Sequence, residues 1–295
     1  MTSLYKELGK VEKLKIYVLA EDHAGYDALF WAQFGTSFLI SCKTGEVEKN
    51  ILFDAAIFAE PILHNMKLLE LDPKKDIPMI VLSHCHFDHT GGLVGILKEI
   101  GKQNIPIIAH PGITRTVVEM EPYLWSIGLT TENTKESIEK EGGKWILTKE
   151  PIKLAPGVIT SGEIERDFEK KVTLASYNLE AGSLVKDEIL DDMSLYFNTM
   201  AGLIIVTSCS HAGIVNIVKQ GIKLTGEDKV KAVIGGFHLL DADKERVKLT
   251  VKMLKDLGVE KIFTGHCTGL KAEAAFLDTF GENFEELYSG KIMKF

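Results

Sequence analysis

Three observations predict an α/β fold. Short apolar runs rich in β-branched or aromatic residues recur along the chain, and in its second quarter and last third they alternate with helical periodicity. Several of these runs lack an in–out alternation, as strands buried on both faces do. Four of them have a histidine just after them, and ligands of α/β sheets bind beyond the carboxyl ends of the strands.

Taken in order, KIYVLA (15–20), SFLISC (37–42) and NILFDA (50–55) read as strands. PMIVLS (78–83) is a buried strand, followed by a polar loop and a helix from about Leu93, with Leu93, Ile96, Leu97 and Ile100 on its buried face. IPIIAH (105–110) is another strand. In the last third, LIIVTS (203–208) precedes a helix from Gly213 to about Leu224. KAVIGG (231–236) precedes a helix from about Asp243 to Leu257, capped by Gly258. KIFTG (261–265) precedes a helix from about Lys271 to Phe280. The middle, roughly 111–200, has a different texture. There Asn133 to Glu136 predicts a capping box, Gly142-Gly143 ends the helix that follows, and short strand-like runs such as GVITS come next. We expect one domain over 1–295, with 111–200 as an α+β insertion near the site.

The chain has 295 residues, 45% hydrophobic and 26% charged, which excludes disorder, collagen and coiled coil. A net charge of −8 argues against nucleic acid and anionic membranes as partners. From Met193 to Val218 no Asp, Glu, Lys or Arg occurs, but the stretch holds Ser194, Asn198, Thr199, Thr207, Ser208, Ser210, His211 and Asn216. That polar load reads as strand, polar loop and helix, not as a membrane span. Four cysteines without close pairing predict reduced thiols and a cytoplasmic location, and the charged N-terminus shows no apolar signal core.

The histidines after strands are His84, His211, His238 and His266. Brought together at strand ends, they predict a metal site. The densest piece is SHCHFDHTGG (83–92). In an extended loop His84 and His86 project to the same side and can chelate one metal, while Asp88 and His89 reach a position beside it. Gly91 and Gly92 let the chain turn tightly into the next helix. The same alternation turns Cys85 away from the metals, as buried filler.

HCHFDH resembles the HxHxDH signature of the metallo-β-lactamase superfamily. LFDA (52–55) resembles the family's early strand ending in an aspartate, here Asp54, and SHAG (210–213) and TGHCTG (264–269) resemble its later histidine ligands. HCHFDHTGGL, TSCSHAGIVNI, IGGFHL and TGHCTG together resemble its dihydropteroate-synthase-like branch. The resemblance implies a four-layered αβ/βα sandwich. It implies His84, His86 and His211 on one metal, Asp88, His89 and His266 on a second, and two Zn²⁺ per chain, with Fe or Mn compatible with the same donors. Asp54 would orient a ligand histidine. The chain departs from the family where LFDAA replaces Asp-Thr-Gly, and where SCSHAG carries no bridging carboxylate, so that Cys209 is a candidate stand-in.

His238 is expected to contact substrate or shuttle a proton. Glu163 is a candidate substrate contact from the middle segment, and the Gly235–Phe237 turn a candidate anion cradle. His110, His23 and His64 read as structural. The main functional expectation is metal-dependent hydrolysis of a small ester, lactone or phosphoester by a metal-activated water, with Asp88 orienting the nucleophile and His238 protonating the leaving group. The branch's label implies instead condensation of a pterin with an aromatic amine, with release of phosphate or pyrophosphate. Iron redox chemistry and non-enzymatic metal binding on the same fold are further alternatives. The expected partner is a small molecule, phosphorylated or not.

Overall fold

A computed structural model describes residues 8–168 and 175–295. Two seven-stranded sheets face each other. The first runs, in spatial order, Ile292–Lys294, Lys13–Ala20, Ser37–Thr44, Val47–Phe53, Ile80–Val81, Ile105–Ala109 and Gly143–Leu147. The second runs Phe284–Glu286, Lys261–Thr264, Val230–Gly235, Gly202–Val206, Leu195–Thr199, Val158–Thr160 and Lys153–Ala155.

Side-chain alternation along the strands builds the layers. Phe38 and Ile40 of the first sheet meet Phe197 and Ile204 of the second between the sheets. Leu39 and Leu52 point the other way, onto helices Ala59–Leu68 and Leu93–Ile100. On the outer face of the second sheet, Leu203, Ile205 and Val233 pack against helices Ile214–Thr225, Lys244–Asp256 and Leu270–Phe280. The result is the four-layered sandwich.

Local chemistry sets the helix ends. Asp243 caps Lys244–Asp256 by accepting from Arg246 N–H, and Gly258 follows at φ +75, where a left-handed backbone favours glycine. The capping box expected at Asn133 shifts by one residue. Thr134 is the cap and accepts from Ser137 N–H, while Asn133 spends its amide on Val94 N–H and Gly91 C=O. Asn133 thus joins this helix to the metal loop instead of capping it.

The middle segment divides. Gly143–Leu147 extends the first sheet, and Lys153–Ala155, Val158–Thr160 and Leu195–Thr199 extend the second. Only Val117–Glu119, Trp125–Ser126, Ser176–Glu180 and Ser183–Lys186 form a separate four-stranded sheet. No described helix is long and apolar enough to cross a membrane.

Candidate metal centre

Gly202–Val206, Val230–Gly235 and Lys261–Thr264 are neighbours in the second sheet, Ile80–Val81 belongs to the first, and the loops that leave these four strands carry the histidines. His84, His86, Asp88, His89 and His211 are buried, and the His266 side chain is 2% exposed. Asp54, Ser210, His238 and His266 hold left-handed backbone (φ 62, 63, 47 and 49), a strain that clusters at functional sites. The two glycines after the ligand loop serve packing: Gly91 and Gly92 have right-handed φ of −64 and −80, but a Cβ would lie 2.4 Å from Ile57 O and 2.4 Å from Ala55 O respectively.

The donors fall into two groups. In the first, His84 Nε2 lies 3.0 Å from His86 Nδ1, and the His211 ring centre is 4.7 Å from that of His84 and 4.9 Å from that of His86. Ser83 Oγ donates to Asp54 Oδ2 at 2.6 Å, so the 2.8 Å contact between Ser83 Oγ and His84 Nδ1 is donated by the imidazole. His84 Nε2 therefore keeps its lone pair for the site. Burial, then neighbouring histidines, hold His84 and His211 well below the usual imidazole range. Burial pushes His86 down to about 4. All three are neutral donors at neutral pH.

In the second group, Asp88 Oδ2 lies 3.1 Å from His89 Nε2 and 3.5 Å from His266 Nε2. Cys209 Sγ lies 3.1 Å from His89 Nε2 and 3.3 Å from His266 Nε2. The outer nitrogens are held by carboxylates: His89 Nδ1 by Asp54 Oδ2 at 3.0 Å and His266 Nδ1 by Asp22 Oδ1 at 3.1 Å. Burial disfavours the charged forms here, but the pairing outweighs it. His89 rises to about 9, with Asp88 and Asp54 as partners, and Asp88 falls well below the usual carboxylate range beside His89 and His266. Burial pushes the Cys209 thiol up. Gly35 permits the tight seat of this loop, because a Cβ there would lie 1.7 Å from Asp88 O.

These residues fit a metal. Among the described residues, buried His86 Nε2, both ring nitrogens of His211 and His238 Nδ1 have no hydrogen-bond partner, which is costly unless another group satisfies them. Four donors on one tetrahedral zinc lie roughly 3.3–3.6 Å apart, close to the 3.1–3.5 Å spacings of Asp88, His89, His266 and Cys209. Their outer partners match the carboxylate–histidine pairing of metal sites.

The cleft over the centre encloses about 290 Å³ and reaches Asp22, Glu119, Asp241 and the rings of Phe34, Phe87 and Trp125. Among the described residues its lining includes no Lys or Arg. His238 lines it with its ring 4.3 Å from that of His211. Three expectations need correction. Glu163 does not line the cleft; it pairs with His110 at 3.1 Å and Lys149 at 3.2 Å. Phe237 is buried against Phe276 in the helical core. The anion cradle is filled, because Gly236 N–H donates to Ser208 O and Phe237 N–H to Thr268 Oγ1. Cys85 packs in the apolar cluster of the first sheet, and its N–H donates to Asp191 Oδ2.

Sequence reasoning missed Asp22, the aromatic wall and the acids beneath the loops. Asp191 is held by Arg115, which also pairs with Asp187. Asp192 accepts from Ala212 N–H, beside His211, and burial pushes its carboxyl up to about 7. The adjacent acids of LDDMSLYF, just before a strand, were the available signal.

Fold and donor geometry define the class: the chain belongs to the metallo-β-lactamase superfamily, whose family model matches residues 31–148. Within it, the chain is 56% identical over 292 residues to the 7,8-dihydropterin-6-methyl-4-(β-D-ribofuranosyl)-aminobenzene-5′-phosphate synthase of Methanocaldococcus jannaschii, covering 98% of this chain and 99% of that protein. It is 35% identical to an uncharacterized protein of the same organism, over 82% of this chain and 87% of that one. Among solved structures it resembles Tm1679, described as a metal-dependent hydrolase of the β-lactamase superfamily. The TM-score is 0.79 at 24% identity, over 95% of this chain and 98% of that one, a likeness of fold.

Proposed function

We propose that this protein is a synthase that joins a dihydropterin, through the carbon on its C6, to the nitrogen of a 4-(β-D-ribofuranosyl)aminobenzene 5′-phosphate. The observation that carries this reading is the 56% identity to the M. jannaschii synthase over nearly the whole of both chains. It displaces hydrolysis as the main expectation, since the hydrolase name belongs to a structure related at 24% identity.

The chemistry suits the cleft. The aromatic amine attacks the exocyclic CH₂ of the pterin, a C–N bond forms, and the C–O bond to a phosphate or diphosphate leaving group breaks. The amine loses one proton. Metals held by His84, His86 and His211, and by Asp88, His89 and His266 with Cys209, would supply the positive charge that a departing phosphate needs. The described lining supplies none from Lys or Arg. Asp54 and Asp22 keep His89 and His266 turned inward. His238, whose buried Nδ1 has no partner among the described residues, takes the amine proton. The apolar wall of Phe34, Phe87 and Trp125 excludes water, which would otherwise compete with the amine.

The test offers both halves to protein purified without added metal. Coupled product should form with the wild type and fall by at least about a hundredfold in His84→Ala, together with loss of bound metal. Equal synthesis in both proteins would defeat the reading.

A further inference from the structure

The small sheet lines one side of the cleft through Glu119 and Trp125, and it supplies none of the metal donors. Its hairpin places Glu119 directly opposite Trp125. Trp125 Nε1 donates to Glu119 Oε2 at 3.0 Å, which fixes the indole plane and the carboxylate together. Both residues line the cleft. Glu119 Oε1 has no partner among the described residues. The Trp125 ring stands 5.4 Å from Phe87, which stands 5.9 Å from Phe34, although Phe34 and Trp125 remain 51% and 37% exposed. Phe87 lies between the donors His86 and Asp88, and its N–H donates to Ile127 O at 2.9 Å. The hairpin is therefore stitched to the ligand loop.

We infer that this hairpin is the pterin-reading element of the site: Glu119 accepts the paired N3–H and 2-amino donors of the pterin, whose flat ring lies along Trp125 and Phe87. The inference rests on the proposed synthase reading and adds which of the two substrates sits here, and how it is told apart. A carboxylate has two acceptor oxygens and matches two adjacent N–H donors in a bidentate pair. Aromatic side chains stack heterocycles in any chemical context. The other acids of the cleft fit this role less well. Asp22 Oδ1 is already shared between His266 Nδ1 and Gly35 N–H, and Asp241 is exposed. C6 lies on the edge of the bicyclic ring away from N3 and the 2-amino group, so a pterin held by Glu119 turns C6 away from that carboxylate, along the wall that Phe87 joins to the ligand loop.

The test measures binding of 6-methyl-7,8-dihydropterin and of its 2-oxo counterpart, 6-methyl-7,8-dihydrolumazine, to the metal-loaded protein. Metal content and thermal midpoint are followed for each variant. In the counterpart a carbonyl replaces the 2-amino group and would face a carboxylate oxygen. The wild type should prefer the pterin by roughly tenfold or more, and Glu119→Gln should lose or reverse that preference, since the glutamine amide can donate to the carbonyl. Trp125→Ala should weaken both ligands by roughly tenfold to a hundredfold, Trp125→Phe by less, and Asp241→Asn neither. Tight pterin binding with an unchanged preference in Glu119→Gln, or loss of preference in Asp241→Asn, would overturn the hairpin assignment and leave the synthase reading intact. Loss of metal from the hairpin variants would also overturn it, since the hairpin would then act only through the Phe87–Ile127 tie. A wild type that binds neither ligand while loaded with metal would overturn both readings.

Discussion

Asp54 Oδ2 lies 3.0 Å from His89 Nδ1, at the end of one strand and under the ligand loop of the next. The same carboxylate accepts from Ser83 N–H and Ser83 Oγ. One buried acid thus sets the direction of His89 directly, and of His84 through the Ser83 hydroxyl. Asp54→Asn keeps the shape and tolerates the left-handed backbone at φ 62, but removes the charge. Metal affinity should fall roughly tenfold to a hundredfold, most at the second position, as read by competition with a chelator. Unchanged affinity at both positions would show that Asp54 does not tune the donors.

Cys209 Sγ belongs to the second donor group and also lies among His84 and His211. A thiolate ligand gives cobalt an intense sulfur-to-metal charge-transfer band in the near ultraviolet. Cobalt-loaded wild type should show that band and Cys209→Ser should lose it while retaining cobalt. A band that survives the substitution would remove Cys209 from the ligand set.

On the proposed reading of two metal positions, acid should empty them in a fixed order. His86 sits near 4, and burial and neighbouring histidines hold His84 and His211 low as well, so the first position displaces no proton at neutral pH. His89 sits near 9, so a metal there must displace its proton at any pH below that value. Affinity at the second position should drop by about tenfold per pH unit for each proton displaced. Titrating from pH 8 to 6 with metal analysis should show one equivalent leaving first. Simultaneous loss of both would contradict the assignment.

Arg115 ties Asp187 and Asp191 beneath the ligand loop, with its side chain 13% exposed and theirs 5% and 0%. Asp191 in turn holds Cys85 N–H, between two donor histidines. Arg115→Met leaves two buried carboxylates without their cation, which costs ~3–5 kcal/mol. Thermal unfolding should show a drop of several degrees at least, with weaker metal retention. A drop no larger than that of an exposed control such as Lys252→Met would show that the network does not support the loop.

The ligand loop was legible because its donors are contiguous, and period-two alternation alone sends His84 and His86 inward and Cys85 into the core. Asp54, His211 and His266 were legible because each follows an apolar strand. That rule says where a residue sits but not what its groups bond, and it misled at the Gly235–Phe237 turn, where Gly236 and Phe237 N–H are spent on Ser208 O and Thr268 Oγ1. Glu163 was misread because its partners, His110 and Lys149, are set by tertiary packing. Asp22, Phe34 and Trp125 come from loops and a hairpin with no periodic signature. The strand Ile292–Lys294 was missed because its short run shows its meaning only when paired with Lys15–Tyr17.

The proposed function has the centre couple two organic substrates, not merely cleave one. Its most direct measurement is the ratio of coupled product to released phosphate or diphosphate, by mass spectrometry and phosphate assay. The metal-loaded protein would be given a 6-hydroxymethyl-7,8-dihydropterin diphosphate with and without the aminobenzene ribofuranosyl phosphate. The account predicts one coupled product per leaving group released, and release that depends on the amine. Equal release without the amine, and no coupled product with it, would contradict the account and return the site to hydrolysis.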